Sequence, residues 1–192
     1  MNTSSLFSAK ELDQLLAQEC ISFEHPWSTR DESQIDSYLK TVCEEISSAT
    51  DTLSRIEWGH YGSGYASFVD AWFYRPTPAF DVPSPLRQGE EHVGLVVLLS
   101  RLSPYFVFME GEKRWHAKGG SSYLPAFQGV DSLSFPGVLD LAAQVQKVLE
   151  SCGLRRLSKR ELSSPLHPDI QVPTILGDPP YTEFDALFHW ED

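Results

Sequence analysis

The chain has 192 residues, of which 41% are hydrophobic, and this composition predicts one globular domain, residues 1–192, with a substantial core. Its formal net charge of −12 disfavours binding to nucleic acid, because an acidic surface repels phosphates. The longest apolar run, Val93 to Leu99, is too short to cross a membrane, and the first residues lack the pattern of a secretion signal. We therefore expect a cytoplasmic protein with no membrane partner.

The negative charge is concentrated towards the two ends of the chain. Residues 1–92 hold 15 acidic and 6 basic side chains, and residues 161–192 hold 7 acidic and no basic ones, whereas the middle is net positive. Such a charge distribution increases the rate of encounter with a basic protein partner. The alternative interpretation is that the acidity serves solubility alone.

The first predicted helix starts at Ser8. Ser8 and Glu11 have the spacing of a capping box, and the apolar residues that follow recur at helical intervals as far as Cys20. A second and longer helix is predicted from about Asp31 to Ser48, because its apolar residues fall on one stripe. Its charged residues face away from that stripe, which is typical of a helix packed on a core.

The entry to the second helix is the stretch HPWSTRDES. Thr29 and Glu32 have the capping-box spacing, and Asp31 and Glu32 put negative charge at the positive end of the helix dipole. Trp27 and Arg30 are not explained by capping. We interpret them as a structural anchor of the chain, held by core packing or by a cation–π contact.

After the second helix the sequence is rich in β-branched and aromatic residues, with glycine and proline at intervals, which is typical of strands and turns. Residues 55–61 and 65–76 predict one hairpin, and residues 92–102 and 105–115 predict a second. The first strand of the second hairpin is apolar enough to lie at the centre of a sheet. The proline-rich segment 76–91 predicts a surface loop between the hairpins.

The last third of the chain begins with a third helix, predicted at residues 137–152 and followed by a glycine cap at Gly153. The residues LRRL then predict an edge strand, and a proline-punctuated segment leads to a last helical turn capped by Thr182 and Asp185. The expected fold class is α+β: an antiparallel β-sheet of four or more strands, with two N-terminal helices and one late helix packed on it.

The sequence contains none of the motifs that identify common enzymes, such as a nucleophile elbow, a phosphate-binding loop or a zinc-protease helix. The six histidines have no metal-ligand spacing, and the three cysteines form no C-x-x-C pair. We therefore expect no metal, no cofactor and no enzyme activity. The alternative is an enzyme or small-ligand module with a site between sheet and helices, near His92, Trp115 and His116.

The segment Pro26 to Cys43 resembles a motif of the immunity protein 52 family of bacterial polymorphic toxin and type VI secretion systems. That motif is W-G-x-R-x-E-S, followed by an amphipathic helix that ends near a cysteine. Its conserved positions are occupied here by Trp27, Arg30, Glu32 and Ser33, while Ser28 stands in place of the glycine. The resemblance implies an α+β antitoxin that binds and neutralises a cognate toxin, expected to be a basic nuclease domain.

An inhibitor of a basic nuclease would contact its partner through acidic side chains that lie outside the apolar stripes. The second helix and the C-terminal tail supply such residues. The predicted partner-binding residues are Asp31, Asp36, Glu44, Glu45, Glu183, Asp185 and Glu191.

Overall fold

A computed structural model describes residues 5–81, 92–112 and 124–192 of the chain. Within these ranges it contains four α-helices, one five-stranded sheet and one two-stranded sheet. The helices are α1 (Ala9–Leu16), α2 (Glu32–Thr50), α3 (Pro136–Ser151) and α4 (Glu183–Leu187). The strands are β1 (Leu53–Glu57), β2 (Tyr65–Ala66), β3 (Phe68–Tyr74), β4 (Val93–Ser100), β5 (Tyr105–Glu112), β6 (Arg155–Arg156) and β7 (Trp190–Glu191).

The large sheet has the strand order β1-β3-β4-β5-β6. Its first four strands are antiparallel to their neighbours, whereas the short edge strand β6 is parallel to β5. This arrangement confirms the predicted α+β class, with two early helices and one late helix. Strand β4 is central and buried along its whole length, as its continuous apolar sequence predicts.

The second strand of the first predicted hairpin is divided into two strands in the structure. The longer of them, β3, pairs with β1 as predicted, whereas the short strand β2 pairs with β7 at the C-terminus. Ser67 joins the two sheets, since its backbone N–H donates to the His189 carbonyl and its hydroxyl donates to the Leu187 carbonyl. The C-terminal segment is therefore attached to the middle of the chain, a long-range contact that local sequence patterns do not specify.

Helices α2 and α3 pack against each other and contact β1 and β4 respectively. Helix α3 begins within one residue of its predicted start, and Gly153 follows it with a φ of 84°, a conformation that glycine adopts without strain. Helix α1 has the predicted capping box at Ser8 and Glu11 but ends at Leu16 rather than Cys20. Soon after that end, Gln18 adopts a left-handed conformation with a φ of 59°.

The predicted capping box of α2 is wrong. The N-cap is Asp31, whose carboxylate accepts hydrogen bonds from the backbone N–H groups of Ser33 and Gln34 at 2.9 and 3.4 Å. Thr29 instead belongs to a short 3₁₀ helix, Trp27–Thr29, and its hydroxyl donates to the Pro26 carbonyl. The left-handed conformation of the residue between them, Arg30, prevents one continuous helix from starting at position 29.

Two predictions fall partly outside the described residues. Within the predicted surface loop, Pro78–Phe80 form a 3₁₀ turn whose phenylalanine is buried, and residues 82–91 are outside. Strand β5 is described as far as residue 112, and residues 113–123 lie outside. Among the helices that are described, none has both the length and the apolar character needed to span a bilayer.

Candidate partner-binding site

A cleft of about 350 Å³ lies between the chain that leaves α1, the start of α2, strand β2 and the turn after β4. Arg30 and Glu32, from the stretch HPWSTRDES, are among its lining residues. The residues that line the cleft include Gln18, Cys20, Arg30, Glu32, Tyr65 and Arg101. These residues come from four separate parts of the chain, and only the fold brings them together.

Two exposed carboxylates lie at the cleft: Glu32 lines it, and Glu191 bonds to the lining residue Gln18. We call this pair the acidic rim. The Nε2 atom of His60 lies 3.2 Å from the Glu32 carboxylate, and the Nδ1 atom of the same ring accepts a hydrogen bond from the Ala66 N–H. In the neutral ring the proton is therefore on Nε2, which donates to Glu32. Glu191 accepts a hydrogen bond of 3.0 Å from the side-chain amide of Gln18.

Arg30 is the exposed cation of the cleft, and no carboxylate in the described ranges lies within ion-pair distance of it. Tyr65 is half-buried and stacks on the His60 ring, with the ring centroids 5.4 Å apart. Burial raises the pKa of Tyr65, and the nearby Glu32 acts in the same direction. The tyrosine therefore offers a neutral hydroxyl. The cleft as a whole presents charged side chains of both signs, Arg30 and Glu32.

The inner wall of the cleft is the buried ion pair of Arg101 and Asp36. Two oxygens of the Asp36 carboxylate accept hydrogen bonds from Nε and Nη2 of Arg101, at 2.8 and 3.1 Å. The other N–H groups of the guanidinium donate to the carbonyls of Trp58, Ala66 and Phe68 at 2.7 to 3.0 Å. All five donors are satisfied, so this pair joins α2 to the strands.

Asp36 is therefore a structural residue rather than a free acidic contact, which corrects one prediction. Arg101 is only 1% exposed, and Asp36 is the carboxylate that neutralises it. The sequence contains one signal of this role, because Arg101 directly follows the fully apolar strand β4. By contrast, no pattern in the sequence singles out Gln18, His60 or Tyr65.

Glu183 is also misassigned by the sequence prediction. Its side chain is 1% exposed, and its carboxylate accepts hydrogen bonds from the N–H groups of Leu6 and Phe7 and from the Ser5 hydroxyl. A carboxylate buried in this way cannot contact a partner. It holds the N-terminal segment against the first turn of α4.

The remaining predicted contacts lie at or near the surface. Asp31 is exposed but is used as the cap of α2, and Asp185 accepts hydrogen bonds from the N–H and hydroxyl of Thr182 at the start of α4. Glu44 and Glu45 are exposed on α2, and the Cys152 thiol donates to Glu45 at 3.4 Å. Of the predicted contacts, Glu44, Glu45 and Glu191 are therefore exposed carboxylates that neither cap a helix nor pair with a buried cation, and Glu32 is a further exposed carboxylate at the start of α2.

Trp27 anchors the chain as the sequence predicts. Its ring is buried, its Nε1–H donates to the Ser100 carbonyl at 3.3 Å, and its edge packs against Tyr38. The contact is one of packing, since no cation–π interaction joins Trp27 and Arg30, both of which are described. The prediction that Arg30 is part of the same anchor is wrong, because its side chain is exposed and lines the cleft.

The described residues contain no group of three or more histidine, cysteine or acidic side chains that could hold a metal ion. In the region of the alternative site, His92 stacks on Tyr74 with centroids 4.8 Å apart, and its Nδ1 lies 3.2 Å from Asp81. Trp115 and His116 lie outside the described residues. The alternative site therefore remains a prediction.

The cysteines are in environments that suppress thiol reactivity. Burial raises the pKa of Cys20 and Cys152, and it raises the pKa of Cys43 to about 12. Because the thiolate is the reactive form, these values favour inert thiols. Cys20 therefore contributes packing and a weak hydrogen bond to the wall of the cleft.

Comparisons of the chain with models of protein families, with characterised proteins and with solved structures found no match. The resemblance of residues 26–43 to the immunity protein 52 motif is therefore still a prediction, and the arguments about function below rest on the site itself.

Proposed function

We propose that this protein is an immunity protein, an inhibitor that neutralises a cognate secreted toxin by direct contact. The toxin is expected to be a basic nuclease domain. The observation that carries the proposal is the cleft, where the fold brings acidic side chains from distant segments to one exposed rim. The resemblance of the Trp27–Ser33 motif to immunity proteins points to the same class.

The division of the acidic residues supports this proposal. Glu32 and Glu191 hydrogen-bond to the side chains of His60 and Gln18, and within the described ranges no lysine or arginine forms an ion pair with either carboxylate. Glu44 and Glu45 are two further exposed carboxylates on α2. Carboxylates arranged in this way raise the rate of association with a basic surface and select against acidic ones.

The cleft also contains groups that would make a contact specific. Arg30 can pair with a carboxylate of the partner, and the Tyr65 hydroxyl can donate or accept a hydrogen bond. A partner that presents lysine or arginine to the rim and one acidic group to Arg30 fits this arrangement. Charge of both signs in one cleft supports a specific interface, because it can favour one partner over others.

The test is protection of a bacterial host against the product of the neighbouring gene. We expect co-expression of this protein to restore growth and the purified proteins to form a complex. The Glu32→Lys/Glu191→Lys variant should protect less well, because the reversed charges repel a basic partner. A matched control, Asp140→Lys/Glu150→Lys on the exposed face of α3, should protect like the wild type. Absence of both complex and protection would contradict the proposal.

A further inference from the structure

A second cavity, of about 430 Å³, lies in the C-terminal segment and is separate from the cleft. Two stretches of chain run antiparallel there, joined by the hydrogen bond from the Leu166 N–H to the Tyr181 carbonyl at 2.9 Å. We call this cavity the proline groove. Its walls include Pro165, Leu166, Pro168, Ile170, Pro180 and Tyr181.

The proline groove is apolar and built on a fixed base. Leu166 and Tyr181 belong to a small buried cluster that packs against Leu12 and Leu16 of helix α1. The proline rings on the walls have no rotamers to lose and no backbone N–H to leave unpaired. An apolar side chain that enters the groove would therefore bury surface at little cost in conformational entropy.

Two exposed carboxylates flank the proline groove. The groove lies within residues 161–192, which hold 7 acidic and no basic residues. Asp169 follows Pro168 on one wall; its side chain is 92% exposed, and its Oδ2 atom lies 3.4 Å from Nδ1 of His167, which also lines the groove. Asp178 precedes Pro179 on the other wall and is also exposed. The groove should therefore favour a segment with apolar side chains in its middle and positive charges on both sides of them.

From these features we infer that the proline groove docks a segment of the partner protein in which apolar side chains are flanked by lysine or arginine. This inference rests on the proposed function, since it names the chemistry of the segment that a basic toxin would present. The groove supplies the apolar contact, and the acidic rim of the cleft supplies a second, electrostatic one. The hydroxyl of Tyr181 adds a polar group, because it has no hydrogen-bond partner among the described residues.

The test uses NMR spectra of the ¹⁵N-labelled full-length protein and three short synthetic peptides. The first peptide has a leucine and a tryptophan flanked by lysines. The second has serine in place of the apolar pair, and the third has glutamate in place of the lysines. We expect only the first to shift the amide signals of Ile170 and Tyr181, with a dissociation constant of about 1 mM. Signals of α3 should not move.

Charge reversal identifies the contribution of the flanking carboxylates. Asp169→Lys/Asp178→Lys should weaken binding of the first peptide by about tenfold, because both side chains are exposed and their reversal repels lysine. Asp140→Lys/Glu150→Lys is the matched control and should bind like the wild type. Equal binding by both double variants would overturn the inference.

Two other results would also overturn it. One is a response to the serine or glutamate peptide equal to that of the first, or no response at the groove to any peptide. The other is a shift of groove signals with protein concentration alone, which would indicate a second copy of this chain as the occupant. Because no toxin is present, failure here leaves the proposed function intact, and the growth assay tests that function separately.

Discussion

The inner wall and the acidic rim belong to one cleft, but the charges of the wall are largely buried, whereas those of the rim are exposed to solvent. On the wall, the Asp36 carboxylate forms an ion pair with the guanidinium of Arg101. That guanidinium is 1% exposed, and all five of its N–H donors have acceptors. On the rim, Glu32 and Glu191 face solvent and hydrogen-bond to His60 and Gln18, and no lysine or arginine of the described part of the chain pairs with them. Acidic residues of similar appearance in the sequence therefore divide into those that stabilise the fold and those available to a partner.

The largest expected effect comes from breaking the wall. Asp36→Ala would leave the buried charge of Arg101 without its counter-ion, so we expect a loss of about 3 kcal/mol in the free energy of unfolding. Urea denaturation measures this loss. Glu44→Ala on the exposed face of the same helix is the control and should change stability by less than about 0.5 kcal/mol. Similar losses for the two variants would contradict the comparison.

Glu183 provides the second test, because it is a predicted partner contact whose carboxylate is instead buried and hydrogen-bonded within the fold. Glu183→Ala would leave the N–H groups of Leu6 and Phe7 without an acceptor, and we expect a loss of about 2 kcal/mol. Hydrogen exchange at those two amides should accelerate as well. Glu191→Ala, at the rim, should leave both stability and exchange unchanged. Unaltered exchange at Leu6 in Glu183→Ala would show that the carboxylate does not hold the segment.

A pH dependence should arise from His189, whose ring centroid lies 6.3 Å from that of Tyr65 in the cleft. Burial lowers the pKa of His189, while the Ala186 carbonyl and Glu191 act in the opposite direction. The unfolded state therefore binds a proton more readily, and stability should fall as the pH drops below about 6.5, by at most about 1.4 kcal/mol per pH unit. Denaturation curves between pH 7 and pH 5 measure this slope.

His189→Asn should flatten that slope, because its side-chain amide can still donate to the Ala186 carbonyl but does not titrate. The control is His167→Asn, since His167 is largely exposed and its replacement should preserve the slope. Carboxylates whose pKa the fold lowers, such as Glu11 and Asp31, lose their contributions at more acidic pH, below about 4.5. An unchanged slope in His189→Asn would assign the effect to another group.

The smallest expected effect distinguishes the observed cap of α2 from the predicted one. Asp31→Ala removes the acceptor for Ser33 and Gln34 and should cost about 1 kcal/mol. Glu32→Ala should cost less than about 0.5 kcal/mol, because Glu32 lies on the rim and forms no capping box with Thr29. Thermal unfolding of both variants makes the comparison. A larger loss of stability for Glu32→Ala than for Asp31→Ala would instead support the capping box predicted from the sequence.

Local patterns in the sequence were sufficient for the helices and the central strands. The apolar stripe of α2, the continuous apolar run of β4 and the glycine after α3 each determine a local structure through nearby residues. The pairing of β2 with β7 was not predictable in this way, because it joins positions more than a hundred residues apart. That pairing places Tyr65 next to Glu191, to which Gln18 also bonds. The residues adjacent to Gln18 and Tyr65 in the sequence therefore do not indicate that these two side chains line a cleft.

The same reasoning explains which acidic residues were misassigned. Asp36 lies outside the apolar stripe of α2, which predicts exposure, and the fold then brings Arg101, the residue after β4, next to it. Glu183 follows a helix cap in a tail rich in acidic residues, and its burial depends on the N-terminal segment. Long-range contacts therefore decide which carboxylates remain for function.

The most direct test of the central claim is the affinity of the complex with the product of the neighbouring gene, measured for the wild type and for Glu32→Lys/Glu191→Lys. We predict at least about a tenfold loss for the rim variant at low salt, with a difference that shrinks as salt screens the charges. The control Asp140→Lys/Glu150→Lys should match the wild type. Equal affinities for the rim variant and the wild type at every salt concentration would contradict the claim that the acidic rim binds a basic partner.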